Sequence, residues 1–161
     1  MAVVVSDTSP LRALGHLRLL HVLGPMYETV IVPTAVVAEL AKTPPGLTPV
    51  TLSDYPFMQV RDPADAVRVE TLRTRLDRGE AEAIALGIEM HVDFILVDEA
   101  LGRSIAKEHG LHPVGVVGIL AQAKLIGLVL QVGPLLDRLE SELGFRLSAA
   151  VREAGLRLAG E

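Results

Sequence analysis

Short β-branched runs alternate with helical segments along most of this 161-residue chain. The runs predicted to be strands are Ala2–Val5, Thr29–Val32, Met58–Val60, Phe94–Val97 and His112–Val116. Strands that alternate with helices along a chain usually form a parallel sheet that carries helices on both faces. The sequence therefore predicts a three-layer α/β/α fold around a parallel sheet.

The segments between these runs carry apolar residues at helical spacing. Ser9 and Pro10 predict a helix start, with Ser as N-cap and Pro at the first helical position. The further predicted helices are Pro33–Lys42, Pro63–Leu76, Glu80–His91, Gly102–His109, Val117–Leu125, Gly133–Leu143 and Ser148–Leu158. Residues 43–57 are predicted to form one long irregular loop. We expect a single domain over residues 1–161, with a core at 1–130 and a helical extension at 131–161.

Composition excludes several classes of protein. Half of the residues are apolar and 22% are charged, which argues against disorder. Aromatic residues make up 3%, so the core must be aliphatic. The absence of cysteine excludes a disulfide scaffold and a thiolate zinc site. No apolar run approaches the roughly 20 residues of a membrane span, so we expect a cytoplasmic protein without a membrane partner.

Two acidic residues directly follow predicted strands. Asp7 comes after the first strand, and Asp98 comes after Phe94–Val97. Ligands of open parallel sheets bind beyond the carboxyl ends of the strands. If these two strands are neighbours, we expect the carboxylates of Asp7 and Asp98 to converge at one edge of the sheet.

Two acids on predicted helices are placed to reach the same edge. Glu39 lies in an otherwise uncharged helical turn, and Glu80 opens a helix. Four carboxylates from separate segments suit a hard cation such as Mg²⁺ or Mn²⁺. Each acid also has a plain structural interpretation, because Asp7 and Asp98 could be turn or cap residues, Glu80 a helix-dipole partner and Glu39 a solvated side chain.

The net charge of −5 counts mildly against a nucleic-acid partner, although a bound cation would reverse the local sign. Arg73, Arg75 and Arg78 form a basic patch just before Glu80. A patch of this kind is usually a solvated helix face, and here it could also hold a phosphate backbone. The five histidines lack metal-ligand spacing.

Four segments, in chain order, resemble the four motifs of PIN domains. They are Val4-Val5-Ser6-Asp7-Thr8-Ser9-Pro10-Leu11, Val32-Pro33 with Val37-Ala38-Glu39-Leu40, Arg78-Gly79-Glu80-Ala81-Glu82-Ala83-Ile84-Ala85-Leu86, and Ile95-Leu96-Val97-Asp98-Glu99. The segment Gly144-Phe145-Arg146-Leu147-Ser148 resembles an uncharacterised branch of the superfamily. The likeness runs along nearly the whole chain.

The resemblance implies an RNase H-like parallel sheet in the order 3-2-1-4-5 and an endonuclease that uses Mg²⁺ or Mn²⁺, usually on RNA. It implies an acidic set of Asp7, Glu39, Glu80 and Asp98, with Asp7 and Asp98 as the principal metal ligands. Many relatives are toxins paired with a small antitoxin, and many form homodimers or larger homo-oligomers.

Several assignments within the resemblance stay open. Glu80 and Glu82 compete for the third motif, and Glu80 is preferred because it stands at the helix entrance. Asp98 and Glu99 compete for the fourth motif. Further candidates are Thr8 or Ser9 as hydrogen-bond partners of a ligand water and Arg103 as a phosphate contact.

Three functions follow as hypotheses. The first is a metal-dependent ribonuclease, and the second is a PIN-like module that binds RNA or protein without cleaving. The third is a phosphoacceptor domain, which would need an acid pair after the first strand. Ser6-Asp7 supplies no such pair.

Overall fold

One parallel sheet of five strands forms the centre of the fold, in the order β3-β2-β1-β4-β5. The computed structural model describes residues 2–161. The strands are β1 (Val3–Ser6), β2 (Thr29–Val32), β3 (Met58–Val60), β4 (Phe94–Leu96) and β5 (His112–Val114). The predicted α/β fold and the strand order implied by the resemblance are confirmed, and β2 and β3 have the predicted bounds.

Helices fill most of the chain between and after the strands. They are α1 (Thr8–His16), α2 (Leu23–Met26), α3 (Thr34–Ala41), α4 (Ala66–Arg73), α5 (Arg78–Glu89), α6 (Ala100–Glu108), α7 (Val116–Leu125), α8 (Gly133–Leu143) and α9 (Ala149–Leu158). Single 3₁₀ turns occur at Leu20–Val22 and Leu52–Asp54. The second of these lies in the predicted irregular stretch 43–57.

The prediction that Ser9 caps the first helix was wrong. Helix α1 begins at Thr8, and its N-cap is Asp7, whose backbone is extended at φ −79° and ψ 176°. Strand β1 therefore passes into α1 through one residue, and Pro10 is the third residue of the helix. Pro is common at the first position of helices, but here the helix begins two residues before Pro10, at Thr8.

Carboxylates set the starts of α4 and α5 and shift them from the predicted positions. The helix predicted from Pro63 begins at Ala66, because the Asp65 carboxylate caps it by accepting from the Arg68 amide at 3.0 Å. The amides of Ala64 and Asp65, just before the helix, donate to the Glu89 carboxylate at 3.0 and 2.6 Å. The helix predicted from Glu80 begins at Arg78, and Asp77 caps it.

Aliphatic side chains cover both faces of the sheet. Val5, Ile31 and Ile95 point into one core, where they meet residues of α4, α5 and α6 such as Leu72 and Ile84. The strand residues that alternate with them, Val4, Val30, Val32 and Leu96, are also fully buried. Parallel strands buried on both faces have a nearly continuous apolar sequence, which explains the Val-rich runs.

The chain divides into two compact units, Met1–Val114 and Gly115–Glu161. The first contains the whole sheet, and the second contains α7, α8 and α9. In the second unit, Gly155 of α9 lies directly against Val117 of α7, so any larger side chain at residue 155 would overlap Val117. The predicted division into a core at 1–130 and an extension at 131–161 stays a prediction. None of the helices within residues 2–161 has the length and apolar character needed to cross a membrane.

Candidate active site

Asp7 stands at the carboxyl end of the central strand. Its amide donates to the carbonyl oxygen of Leu96 on the neighbouring strand at 2.9 Å, which fixes its backbone as β1 ends. Only 3% of Asp7 is exposed. A carboxylate is rarely buried to this extent unless it is paired or binds a cation.

Glu39 extends from α3 towards Asp7 and is held at both its side chain and its backbone. The hydroxyl of Thr8 donates to Glu39 Oε2 at 2.7 Å, and the guanidinium of Arg12 donates to the Glu39 carbonyl oxygen at 2.7 Å. A Cβ placed on Gly79 would lie 2.6 Å from Glu39 Oε1 and 3.5 Å from Asp7 Oδ1. The carboxylates of Asp7 and Glu39 therefore both lie beside residue 79, where glycine leaves room for them.

Glu80 enters the same region from the first turn of α5. It is 8% exposed, and its Oε2 would lie 2.7 Å from a Cβ placed on Gly102 in α6. Its amide donates to Asp77 Oδ1 at 2.9 Å, in the geometry of a helix N-cap. Gly79 and Gly102 thus allow the carboxylates of Glu39 and Glu80 to lie close to helix backbone.

Burial and mutual repulsion raise the pKa of two carboxyl groups in this cluster. The pKa of Asp7 rises to about 7, mainly because of burial and further because of the charges of Asp77, Glu39 and Glu99. The pKa of Glu80 rises to about 8, again mainly through burial, with repulsion from Asp7, Asp77 and Glu99. Asp7 and Glu80 are therefore close enough to three further carboxylates, those of Glu39, Asp77 and Glu99, for the charges of these groups to act on one or both of them.

Glu82 and Glu80 lie in different surroundings. Both residues are buried, but Glu82 Oε1 forms an ion pair of 3.1 Å with Arg78. The pKa of Glu80 is instead raised by burial and by the negative charges of Asp7 and Asp77. This arrangement supports the preference for Glu80 in the third motif, whose role in the site stays a prediction.

Asp98 and Glu99 follow β4 at the same edge as Asp7, because β1 and β4 are paired in parallel. Asp98 is half-buried. Glu99 is exposed and is the N-cap of α6, and its charge reaches both Asp7 and Glu80. The choice between Asp98 and Glu99 as the fourth acid therefore stays open.

Asp77 belongs to this acidic region, and the sequence reasoning missed it. A signal was present, because an Asp three residues before a Glu at the start of an apolar helical stripe is typical of a helix N-terminus. The helix start was instead placed at Glu80, which left Asp77 outside the helix and without a role.

The proposed phosphate-contacting arginines have protein partners. Arg73 pairs with Glu70, Arg75 with Glu108 and Arg78 with Glu82, at 3.1 to 3.3 Å. Arg103 donates to the carbonyl oxygen of Val97 at 3.1 Å. The basic patch before Glu80 is thus a set of surface ion pairs, each about half exposed or more on the arginine side.

The acidic region has the donor chemistry of a divalent-cation site. Within residues 2–161, no three Asp, Glu, His or Cys side chains are arranged as a ready metal-binding group. Carboxylate oxygens are nevertheless the donors that Mg²⁺ and Mn²⁺ prefer, and a cation would relieve the repulsion that raises the pKa values of Asp7 and Glu80. The residues present therefore supply the type of donor atom that such a cation binds. Their side chains would have to move closer together to form a complete metal-binding group.

Comparison with known proteins identifies the family. The family model DUF3368, described as a PIN domain, matches residues 3–161. The chain belongs to the PIN-domain family. No curated protein matches the chain.

Membership in this family explains why acids gather at the carboxyl edge of this sheet. The PIN domain is a nuclease-type fold, and its members are generally hydrolases that use divalent metals. The 3-2-1-4-5 order places β1 at the centre, between β2 and β4. Asp7 therefore lies where elements on both sides of the strand can bring further carboxylates to it.

Proposed function

We propose that this PIN domain is a metal-dependent endoribonuclease with Asp7, Glu39, Glu80 and Asp98 as its acidic set. Asp7 and Asp98 are the proposed principal ligands of Mg²⁺ or Mn²⁺. One observation carries the proposal. Asp7 is almost fully buried at a strand end, and its pKa is raised to about 7 by burial and by acids from other segments. Buried ionisable groups with strongly shifted pKa values are found mainly at functional sites.

The chain supplies a cluster of carboxylates at the edge of the sheet and groups that hold some of these side chains in place. Thr8 orients the Glu39 carboxylate, and Arg12 holds the backbone of the same residue. Gly79 and Gly102 leave room for carboxylate oxygens beside helix backbone. A cation bound there would stabilise charge on a phosphodiester and lower the pKa of a bound water.

The test is cleavage of RNA in the presence of Mn²⁺ by the wild type and by Asp7→Asn. Asn keeps the shape of the side chain but loses its charge, so cleavage should fall by orders of magnitude. Glu108→Gln is the matched control, because Glu108 is an exposed acid that pairs with Arg75 on the surface. Equal cleavage by the wild type and Asp7→Asn would remove the proposal.

The finer proposal is that the enzyme is the toxin of a toxin–antitoxin pair and acts as a homodimer or higher homo-oligomer in the cytoplasm. The likeness of its four motifs to PIN domains, many of which are such toxins, supports this. Expression of the wild type should arrest growth, and Asp7→Asn should not. Normal growth at high expression of active enzyme would contradict the toxin proposal.

The alternative function is a PIN-like module that binds RNA or protein without cleaving. Two observations favour it. The chain is acidic overall, and the arginines near the site are engaged in ion pairs. Titration with Mn²⁺ separates the two functions, because a folded wild type that binds RNA but no Mn²⁺ at millimolar concentration would support the module.

A further inference from the structure

Asp77 occupies a position that connects the start of α5 to the acidic site. Its Oδ1 accepts a hydrogen bond of 2.9 Å from the amide of Glu80. Between these two residues lies Gly79, where an added Cβ would lie 2.6 Å from Glu39 Oε1 and 3.5 Å from Asp7 Oδ1. Any movement of Asp77 would therefore shift the first turn of α5, which carries the buried side chain of Glu80.

Capping alone does not require an acid at residue 77. Ser and Asn cap helices about as well as Asp, because each offers a side-chain oxygen to the free amides of the first turn. Asp adds a full negative charge next to a cluster that already repels itself. An uncharged cap would give the helix the same start without that repulsion.

We propose that Asp77 is a positioning residue of the acidic site, which fixes Glu80 through its hydrogen bond and strengthens cation binding through its charge. The inference rests on the proposed function, since the charge is useful only if a cation binds. Asp77 is exposed, which places its carboxylate at the rim of the site.

The electrostatics of the cluster support this role. Asp77 accepts the Glu80 amide hydrogen at 2.9 Å, so its charge lies within the helical turn that carries Glu80 and that faces the carboxylates of Glu39 and Asp7 at Gly79. In the metal-free protein this placement is unfavourable, because like charges are held together. When a cation binds, the same charge becomes attractive, so the expected effects of Asp77 on metal-free stability and on metal affinity have opposite signs.

The test compares Asp77→Asn, Asp77→Ser and Asp77→Ala in the full chain, with Mn²⁺ as the probe. Asn and Ser keep the cap and remove the charge, whereas Ala removes both. Asp77→Asn and Asp77→Ser should bind Mn²⁺ about 3- to 10-fold more weakly in calorimetry, on the scale expected for one lost charge near a cation in a wet site. Their metal-free unfolding temperatures should equal or exceed that of the wild type.

Asp77→Ala should also weaken Mn²⁺ binding, and in addition it should lower the metal-free unfolding temperature and speed hydrogen exchange at the Glu80 amide. The variant Asp7→Asn distinguishes a failure of the Asp77 proposal from a failure of the proposed metal site. If Asp7→Asn loses Mn²⁺ binding while Asp77→Asn keeps wild-type affinity, the role of Asp77 is overturned and the proposed function stands. If Asp7→Asn also keeps wild-type affinity, the proposed metal site fails, and the role of Asp77 fails with it.

Discussion

The hydroxyl of Thr8 donates a hydrogen bond of 2.7 Å to the carboxylate of Glu39, across 31 residues of sequence. This contact joins the start of α1 to α3 at the point where both reach the acidic site. Because the other oxygen of Glu39 lies against Gly79, the carboxylate is oriented from two sides.

Replacement of Thr8 by Val should therefore disturb the site while the fold persists. Val has nearly the same shape as Thr but offers no hydroxyl, so Glu39 loses its anchor. Loss of an outer partner of this kind typically lowers metal affinity or activity about 10- to 100-fold. RNA cleavage with Mn²⁺ measures the effect, and Thr8→Ser, which retains the hydroxyl, should keep most activity. Equal activity of Thr8→Val and the wild type would show that Glu39 needs no such anchor.

Gly79→Ala should separate activity from stability. The new Cβ would lie 2.6 Å from Glu39 Oε1, the end of a flexible side chain, so the carboxylate must move while the backbone need not. We expect an unfolding temperature near that of the wild type and cleavage lower by about tenfold or more. Gly87→Ala is the control in the same helix, because its Cβ would meet only the side chains of Leu111 and Val92. Full activity in Gly79→Ala would contradict a tight arrangement of Asp7 and Glu39.

The metal-free protein should lose stability as the pH rises. The pKa of Asp7 is raised from 3.8 to about 7 and that of Glu80 from 4.5 to about 8. Between the lower and upper values the folded state binds more protons than the unfolded state, so the free energy of unfolding decreases with pH. The contribution of these groups is complete below about pH 4 and is lost as the pH passes 7 to 8.

Urea unfolding in EDTA at pH 5 and at pH 8.5 measures this dependence. Asp7→Asn and Glu80→Gln should each flatten it and should be more stable than the wild type at pH 8.5. If both variants kept the pH dependence of the wild type, neither carboxyl group would have the raised pKa in the folded state on which this prediction rests.

The second compact unit offers an independent prediction. The carboxylate of Glu161 accepts hydrogen bonds from the amides of Val132 and Gly133 and from Lys124, and these contacts lower its pKa to about 2. The stabilisation should be present above about pH 4.5 and should disappear as the pH falls through about 2. At neutral pH, Glu161→Gln should speed hydrogen exchange at Val132 and Gly133. Glu140→Gln, which removes an exposed partner of Arg152, should leave those amides unchanged.

The sequence predicted those strands and helices whose bounds depend on residues that are close together along the chain. The β-branched run Thr29–Val32 and the Leu-rich helix Gly133–Leu143 have the predicted bounds. The order of the strands was implied only by the family resemblance, because hydrophobic periodicity says nothing about which strands are neighbours. The starts of α4 and α5 were misplaced because side-chain carboxylates help to determine them, from Asp65 and Glu89 for α4 and from Asp77 for α5. Helix α1 begins earlier than predicted because only Asp7 separates it from the end of β1.

The sequence named the candidate acids but not the residues that support them. Asp7 was singled out because it follows a strand, and Glu39 and Glu80 because of their places on helices, although each also had a plain structural interpretation. The structure brings these three acids near one another, and their role in a site stays a prediction. The contributions of Thr8, Gly79 and Gly102 depend on contacts across the fold that no local pattern contains. Asp77 was missed because the helix that it caps was predicted to begin two residues too late, at Glu80 instead of Arg78.

The central claim is that carboxylates from distant segments share one divalent cation. Calorimetric titration with Mn²⁺ at pH 7, in two buffers with different heats of ionisation, tests it most directly. Because Asp7 and Glu80 are partly protonated at that pH, binding should release protons, and the release should be smaller at pH 8.5. Asp7→Asn should abolish the binding. Absence of Mn²⁺ binding by the folded wild type, or binding that releases no protons at pH 7, would contradict the account.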